Sequence, residues 1–167
     1  KKKYKIKKPY IFLATQFRPY KNIICLLKAC LQNSKFMKEY ELIFTGNKND
    51  DPKSKKLIEE TALKRNTRMV GPLTEDDLRD FYLNSDFIVV PTLFEGGFPW
   101  QAIEGMSFGK PVLMSKIDIT TERLTYEGFS TDSVDFMLFD PKNVKDLSDK
   151  MTALISDKNA FLELQKP

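Results

Sequence analysis

The chain has 167 residues, 41% of them hydrophobic, enough for one compact domain with a sizeable core and too few for two complete independent ones. Formal net charge is +4, yet Lys1, Lys2, Lys3, Lys5, Lys7 and Lys8 crowd the first eight residues; without them 21 basic residues face 23 acidic ones, a body of charge −2. Histidine is absent, which excludes imidazole general bases, His-ligated zinc, and Ser-His-Asp or Cys-His catalysis on this chain.

The lysine run suits anionic lipid or nucleic acid, but a solvated end or linker over residues 1–8, ahead of one domain over 9–167, is the plainer reading. No nucleic-acid partner is expected. No apolar run approaches the roughly 18 residues of a membrane span, and no secretory apolar segment is evident. Cys25 and Cys30 fall on one predicted helix about 140° apart, too far round the axis for a mutual disulfide. A reducing, cytoplasmic setting is expected.

Tyr10 to Thr15 is a near-continuous apolar run, as in a parallel strand covered on both faces. From Asn22, the residues Ile23, Leu26, Leu27, Cys30 and Leu31 recur with helical spacing and mark one buried face. Tyr40 to Thr45 reads as a second strand ending in Gly46, followed by a polar loop and a helix from Ser54 to Arg65. Arg68 to Val70 is a short strand closed by Gly71. Thr74 with Asp77 resembles a capping box and opens a helix with the face Leu78, Phe81 and Tyr82. Phe87 to Val90 is a buried strand, and Pro99 or Trp100 begins a helix that carries Ile103, Glu104 and Met106 and ends at Gly109. Val112 to Ser115 and Asp135 to Phe139 add two strands. Val144, Leu147, Met151, Leu154 and Ile155 mark a last amphipathic helix.

This alternation predicts an α/β fold: a doubly wound, mostly parallel, Rossmann-like sheet of about six strands with helices on both faces. Ligands of such sheets bind at the carboxyl ends of strands, so the loops after the first, second and Phe87 strands are the places to search. In the first, Arg18 and Lys21 with Asn22 precede a helix N-terminus, where N–H groups and the helix dipole favour an anion. An arginine fork and a lysine point charge would neutralise a diphosphate; two solvated loop cations are the alternative. In the third, Glu95 and Glu104 bracket EGGFPWQAIE. Carboxylates there accept hydrogen bonds from sugar or ribose hydroxyls, although a helix-terminus charge and an exposed helix position would look the same. Gly96 and Gly97 permit close backbone approach to a ligand or form an ordinary turn.

Five stretches in order, ATQFRPYKNI, LIFTGN, RMVGPLTEDDL, SDFIVVPTLFEGGFPWQAIEGMSFGKPVLMS and DFMLFDPKNVKDLSDKM, resemble the C-terminal, donor-binding domain of the group 1 glycosyltransferases. These are retaining enzymes of the two-domain GT-B architecture with an E-x7-E motif. The resemblance implies that Lys21 and Arg18 bind the diphosphate of a nucleotide sugar. It implies that Glu95 holds hydroxyls of the transferred sugar, Glu104 the ribose, and the Gly96, Gly97 and Phe98 backbone faces sugar and phosphate. The base would lie along Met69, Val70 and Gly71. Arg18, Lys21 and Glu95 would be the catalytic set, while Lys110, Pro111 and Glu122 match the pattern in structural roles. Two departures stand out: eight residues separate Glu95 from Glu104 where the family has seven, and Gln16 occupies the usual arginine position, five before Lys21, leaving Arg18 as its substitute.

The resemblance also implies transfer to a glycan or lipid-linked acceptor in surface polysaccharide assembly, with an N-terminal acceptor domain as partner and a setting at the inner face of the membrane. No cofactor is expected beyond the donor substrate. No metal is expected either, since D-x-D occurs nowhere and Arg18, Lys21 and a helix N-terminus would stabilise the leaving diphosphate. The rival readings are another sugar-phosphate enzyme of this architecture and a non-catalytic nucleotide-binding or regulatory α/β module. The chain lacks G-x-G-x-x-G and the P-loop pattern.

Overall fold

A computed structural model describes residue 4, residues 6–130 and residues 132–165; Lys1, Lys2, Lys3 and Lys5 of the lysine run lie outside them. Six strands, β1 (Tyr10–Leu13), β2 (Glu41–Phe44), β3 (Thr67–Met69), β4 (Phe87–Val90), β5 (Val112–Ser115) and β6 (Leu138–Phe139), form one sheet in the order β3-β2-β1-β4-β5-β6. All pairings are parallel, with Tyr10 opposite Glu41, Ile11 opposite Phe87 and Ile88 opposite Val112. Residues of β1, β2, β4 and β5 are buried along their whole length, the pattern of strands covered on both faces. The chain leaves β1 toward β2 and returns to β1's other side as β4, so the carboxyl ends of β1 and β4 flank a topological switch point.

Around the sheet run α1 (Ile23–Gln32), α2 (Ser34–Glu39), α3 (Pro52–Glu60), α4 (Leu63–Asn66), α5 (Glu75–Asn84), α6 (Trp100–Ser107), α7 (Asp118–Tyr126), α8 (Val144–Ser156) and α9 (Lys158–Gln165). Of the face predicted for α1, Ile23, Leu26, Leu27 and Cys30 are buried and Leu31 is half-buried, with Cys25 and Ala29 buried as well; α1 packs against α8, whose Leu147, Met151 and Leu154 are buried. Thr74 caps α5, accepting from the Asp77 N–H at 3.2 Å. Cys25 and Cys30 are both buried as free thiols.

Three differences from the sequence reading have physical causes. The strand expected over 135–139 is only Leu138–Phe139; Asp132–Met137 is a 3₁₀ segment, and the Asp135 carboxylate faces out to Lys116 and Lys150, each at 3.2 Å. The helix expected from Ser54 to Arg65 starts earlier, at Pro52 behind the Asp51 cap, and breaks at Thr61, whose extended backbone separates α3 from α4. The helices α2, α7 and α9 lie where the sequence carries little apolar period: α2 buries only Phe36 and α9 only Phe161.

Candidate functional site

The loop after β1 is a compact turn tied to its neighbours. Pro19–Lys21 forms one 3₁₀ turn, and Asn22 adopts a left-handed conformation, φ 53°, before α1 begins. Few side chains tolerate that region; asparagine does. The Asn22 Nδ2 group donates to Pro91 O at 2.9 Å and to Pro141 O at 2.8 Å, joining this loop to those that follow β4 and β6. Leu93 N donates to Tyr20 O at 2.7 Å, and Thr92 Oγ1 lies 3.1 Å from the same carbonyl and 2.8 Å from Phe94 O. The loop after β2 closes in as well: a Cβ on Gly46 would sit 2.4 Å from Thr15 O, so glycine alone lets the two backbones approach.

These ties bring together Lys21 and Glu95, to which the resemblance assigns the diphosphate and the sugar of one ligand. The Lys21 ammonium forms an ion pair with Glu95 Oε1, and each side chain is only 16% exposed. The ammonium also lies 5.3 Å from the centre of the Tyr20 ring. Arg18 takes a different position: it is exposed, and its Nε donates to Gln16 Oε1 at 3.0 Å. Gln16, at the place where the resemblance expects an arginine, accepts this bond.

Downstream, Trp100 is the first helical residue of α6, with Pro99 as the cap. A Cβ on Gly105 would fall 2.8 Å from Ile88 Cγ1 and 3.0 Å from Val112 Cγ2, so α6 lies directly on β4 and β5. Gln101 Nε2 donates to Ala14 O at 3.3 Å and ties α6 to the end of β1. One turn on, Glu104 Oε2 accepts the Tyr82 hydroxyl at 2.6 Å. Gly96 and Gly97 are exposed, with open space around both, and Phe98 packs partly against the core. Met69, Val70 and Gly71 are half-buried at the end of the edge strand β3, where Val70 N donates to Phe44 O at 2.9 Å and Gly71 has φ 75°. They lie two strands from the Lys21 loop in the sheet order, on one side of the switch point.

A cleft at the ends of β1 and β4 is lined by Thr15, Lys21, Pro91, Thr92 and Gln101. Thr15 Oγ1 is buried there without a hydrogen-bond partner among the described residues. Also among the described residues, no group of three or more carboxylate, thiol or imidazole side chains is placed to hold a metal ion. Lys110 reaches Leu83 O at 2.7 Å and Pro111 O accepts from Ile88 N at 2.9 Å, both contacts of the scaffold, while Glu122 is exposed on α7. Tyr82, Tyr20 and Thr15 are not singled out for the site by the sequence; Asn22 is named there only beside Arg18 and Lys21 at the helix start, without a role of its own.

A parallel sheet in the order 3-2-1-4-5-6, with cation and carboxylate meeting at the switch point, defines a Rossmann-like α/β architecture. The family model of glycosyl transferases group 1 matches residues 1–166, and the chain belongs to that family. It is 29% identical over 113 residues to the lipopolysaccharide 1,2-N-acetylglucosaminetransferase of Salmonella typhimurium, covering 64% of this chain and 30% of that protein. Over 90 residues it is 29% identical to the N,N'-diacetylbacillosaminyl-diphospho-undecaprenol alpha-1,3-N-acetylgalactosaminyltransferase of Campylobacter jejuni, covering 54% of this chain and 22% of that one. The chain thus spans less than a third of the length of these relatives. Among solved structures, the C-terminal domain of a Francisella tularensis group 1 glycosyl transferase superposes with TM-score 0.76 at 21% identity, covering 98% of this chain and 83% of that one. Anabaena HepE in complex with UDP-glucose superposes with TM-score 0.76 at 16% identity, covering 95% of this chain and 42% of that one.

Proposed function

We propose that this chain is the donor-binding half of a retaining glycosyltransferase that moves a sugar from a nucleotide diphosphate sugar to a glycan or lipid-linked acceptor. The contact that carries the reading is Lys21 against Glu95, from loops that meet only in the folded chain. It sets a cation for diphosphate beside a carboxylate for sugar hydroxyls, at the switch point where such sheets bind nucleotides. The relatives' printed activities, transfer onto lipopolysaccharide and onto an undecaprenol-linked diphosphate, support an acceptor of that class.

As the glycosidic bond breaks, negative charge grows on the departing diphosphate, and donors already aimed at it lower the barrier. Lys21, held on a tied loop, and Arg18, beside it on the solvent side, supply that charge. Gly96 and Gly97 let backbone N–H groups approach, Glu104 takes the ribose, and Met69 to Gly71 face the base. No metal ligand is assigned in this scheme. The acceptor and the remaining wall of the reaction centre belong to an N-terminal domain, so this chain binds donor and transfers nothing alone. No described helix is long and apolar enough to cross a membrane.

Titration with UDP, GDP and ADP and the glucose conjugate of each tests this reading, since a ligand that binds only the native state raises its melting temperature. One base series is expected to bind, with Lys21→Ala weakening it more than Arg18→Ala. In the complete enzyme either substitution is expected to cost on the order of 3 kcal/mol of transition-state stabilisation. No response to any of the six ligands, or full turnover in both variants, overturns it.

A further inference from the structure

We infer that Glu95 is an internal competitor of the donor's diphosphate, and that this competition makes the site prefer the intact nucleotide sugar to the bare nucleoside diphosphate. The inference rests on the diphosphate reading of Lys21 proposed above. In the folded chain the Lys21 ammonium is paired with Glu95 Oε1, so any anionic oxygen that approaches this ammonium competes with the carboxylate. Both side chains are mostly removed from solvent, so the pair is screened less than a surface pair. A diphosphate reaching Lys21 must displace the carboxylate, and the displaced Glu95 then faces phosphate oxygens of its own sign. Among the described residues no second cation forms an ion pair with Glu95.

What the ligand carries beyond the diphosphate decides the outcome. A nucleotide sugar presents hydroxyl donors that satisfy the displaced carboxylate, and hydrogen bonds to a charged acceptor are among the stronger ones. A bare nucleoside diphosphate presents none at that end, so it bears the full cost of opening the pair. Selectivity arises as a difference of two affinities, and here an internal repulsion lowers one of them. The segment beyond Phe94 has room to rearrange: Phe94 is 67% exposed, and nothing packs within 4 Å of a Cβ built on Gly96 or Gly97, although Phe94 O itself is held by Thr92 Oγ1 at 2.8 Å. Its base is fixed, because Thr92 and Leu93 are tied to Tyr20 O. The same competition speeds loss of the spent nucleotide once the sugar has gone.

Calorimetric titration of the 167-residue chain and its Glu95→Gln, Glu95→Ala and Lys21→Ala variants, using UDP, GDP and ADP and the glucose conjugate of each, is the test. For the base that binds, Glu95→Gln and Glu95→Ala are expected to bind the nucleoside diphosphate about fivefold more tightly than the unaltered chain. The ratio of nucleotide-sugar to nucleoside-diphosphate affinity should fall in both, furthest in Glu95→Ala. If neither variant tightens diphosphate binding while Lys21→Ala weakens it, the competitor role is overturned and the diphosphate site stands. If Lys21→Ala leaves binding unchanged, or no nucleotide binds the unaltered chain, the reading of the site falls and this inference with it.

Discussion

Tyr82 donates its phenolic hydrogen to Glu104 Oε2 at 2.6 Å and thereby couples α5 to α6. The ring cannot move to follow another partner: it is 1% exposed, meets Phe12 edge-on at a centroid distance of 5.0 Å and stacks on Phe108 at 5.6 Å. Glu104 itself is half-buried on the first turns of α6, with one carboxylate oxygen committed to the scaffold.

Tyr82→Phe keeps the ring and removes the donor. The loss is expected to be about 1 kcal/mol of stability, a fall of about 2–4 °C in melting temperature. The functional effect is separable from it. If Glu104 meets the ribose as proposed, a ribonucleotide should bind the unaltered chain better than its 2′-deoxy analogue, and the gap should narrow in Tyr82→Phe, where the carboxylate is no longer fixed. Equal ribose preference in the two proteins would show that Tyr82 serves the fold alone.

Asn22 combines two duties that substitution can part. Asn22→Gly keeps the left-handed backbone and removes the hydrogen bonds to Pro91 O and Pro141 O, at a cost of about 1–2 kcal/mol. Asn22→Ala loses the same bonds and adds about 1–2 kcal/mol of backbone strain at φ 53°. Denaturant titration should rank the unaltered chain above Asn22→Gly and that above Asn22→Ala. Both variants should weaken nucleotide binding, since the loop that presents Lys21 loses one of its ties to the loop that presents Glu95, those through Tyr20 O remaining.

Gly46 and Gly97 predict opposite behaviour from the same substitution. A methyl at Gly46 meets backbone, with Thr15 O at 2.4 Å and Gln16 Cα at 3.0 Å, so Gly46→Ala must shift the β1 loop; overpacking of this kind costs about 1–3 kcal/mol. At Gly97 a methyl meets nothing within 4 Å and the backbone is not left-handed, so Gly97→Ala should change stability by less than about 0.5 kcal/mol. Weaker nucleotide-sugar binding by Gly97→Ala at unchanged melting temperature is the expected signature of a ligand lying against that backbone.

The sheet was legible because its strands are apolar on both faces: Phe87–Val90 and Val112–Ser115 lie where their composition puts them. Period carried the helices with a wide buried stripe, α1 and α8, and failed for α2 and α9, whose single buried aromatics, Phe36 and Phe161, leave no repeat to find. In the site, Lys21 and Glu95 were visible as residue types at strand ends, but their mutual contact depends on the tie between Tyr20 O and Leu93 N, made by main chain 73 residues apart in sequence. Tyr82 read as one more core residue of α5, since only the position of α6 turns its hydroxyl into a partner for Glu104.

At alkaline pH the stability of the chain depends on three buried phenols. Tyr10, Tyr40 and Tyr82 are each at most 4% exposed. Burial pushes all three phenols above their ordinary range, with Asp80 adding to the effect at Tyr10, the Asp86 hydrogen bond at Tyr40 and the Glu104 hydrogen bond at Tyr82. The folded state thus holds these protons more tightly than the unfolded chain, whose tyrosines ionise near about pH 10. Their contribution to stability is complete below that pH and is lost progressively as pH rises above it. Each contributes a slope of up to about 1.4 kcal/mol per pH unit, because the unfolded state alone releases the proton. Denaturation midpoints should be flat in tyrosine terms up to about pH 10 and then fall steeply, with phenolate absorbance from these three rings rising together with unfolding. Tyr82→Phe, with one such group fewer, should show the shallower fall; an identical alkaline slope in the variant would mean that Tyr82 ionises as readily in the folded chain as in the unfolded one.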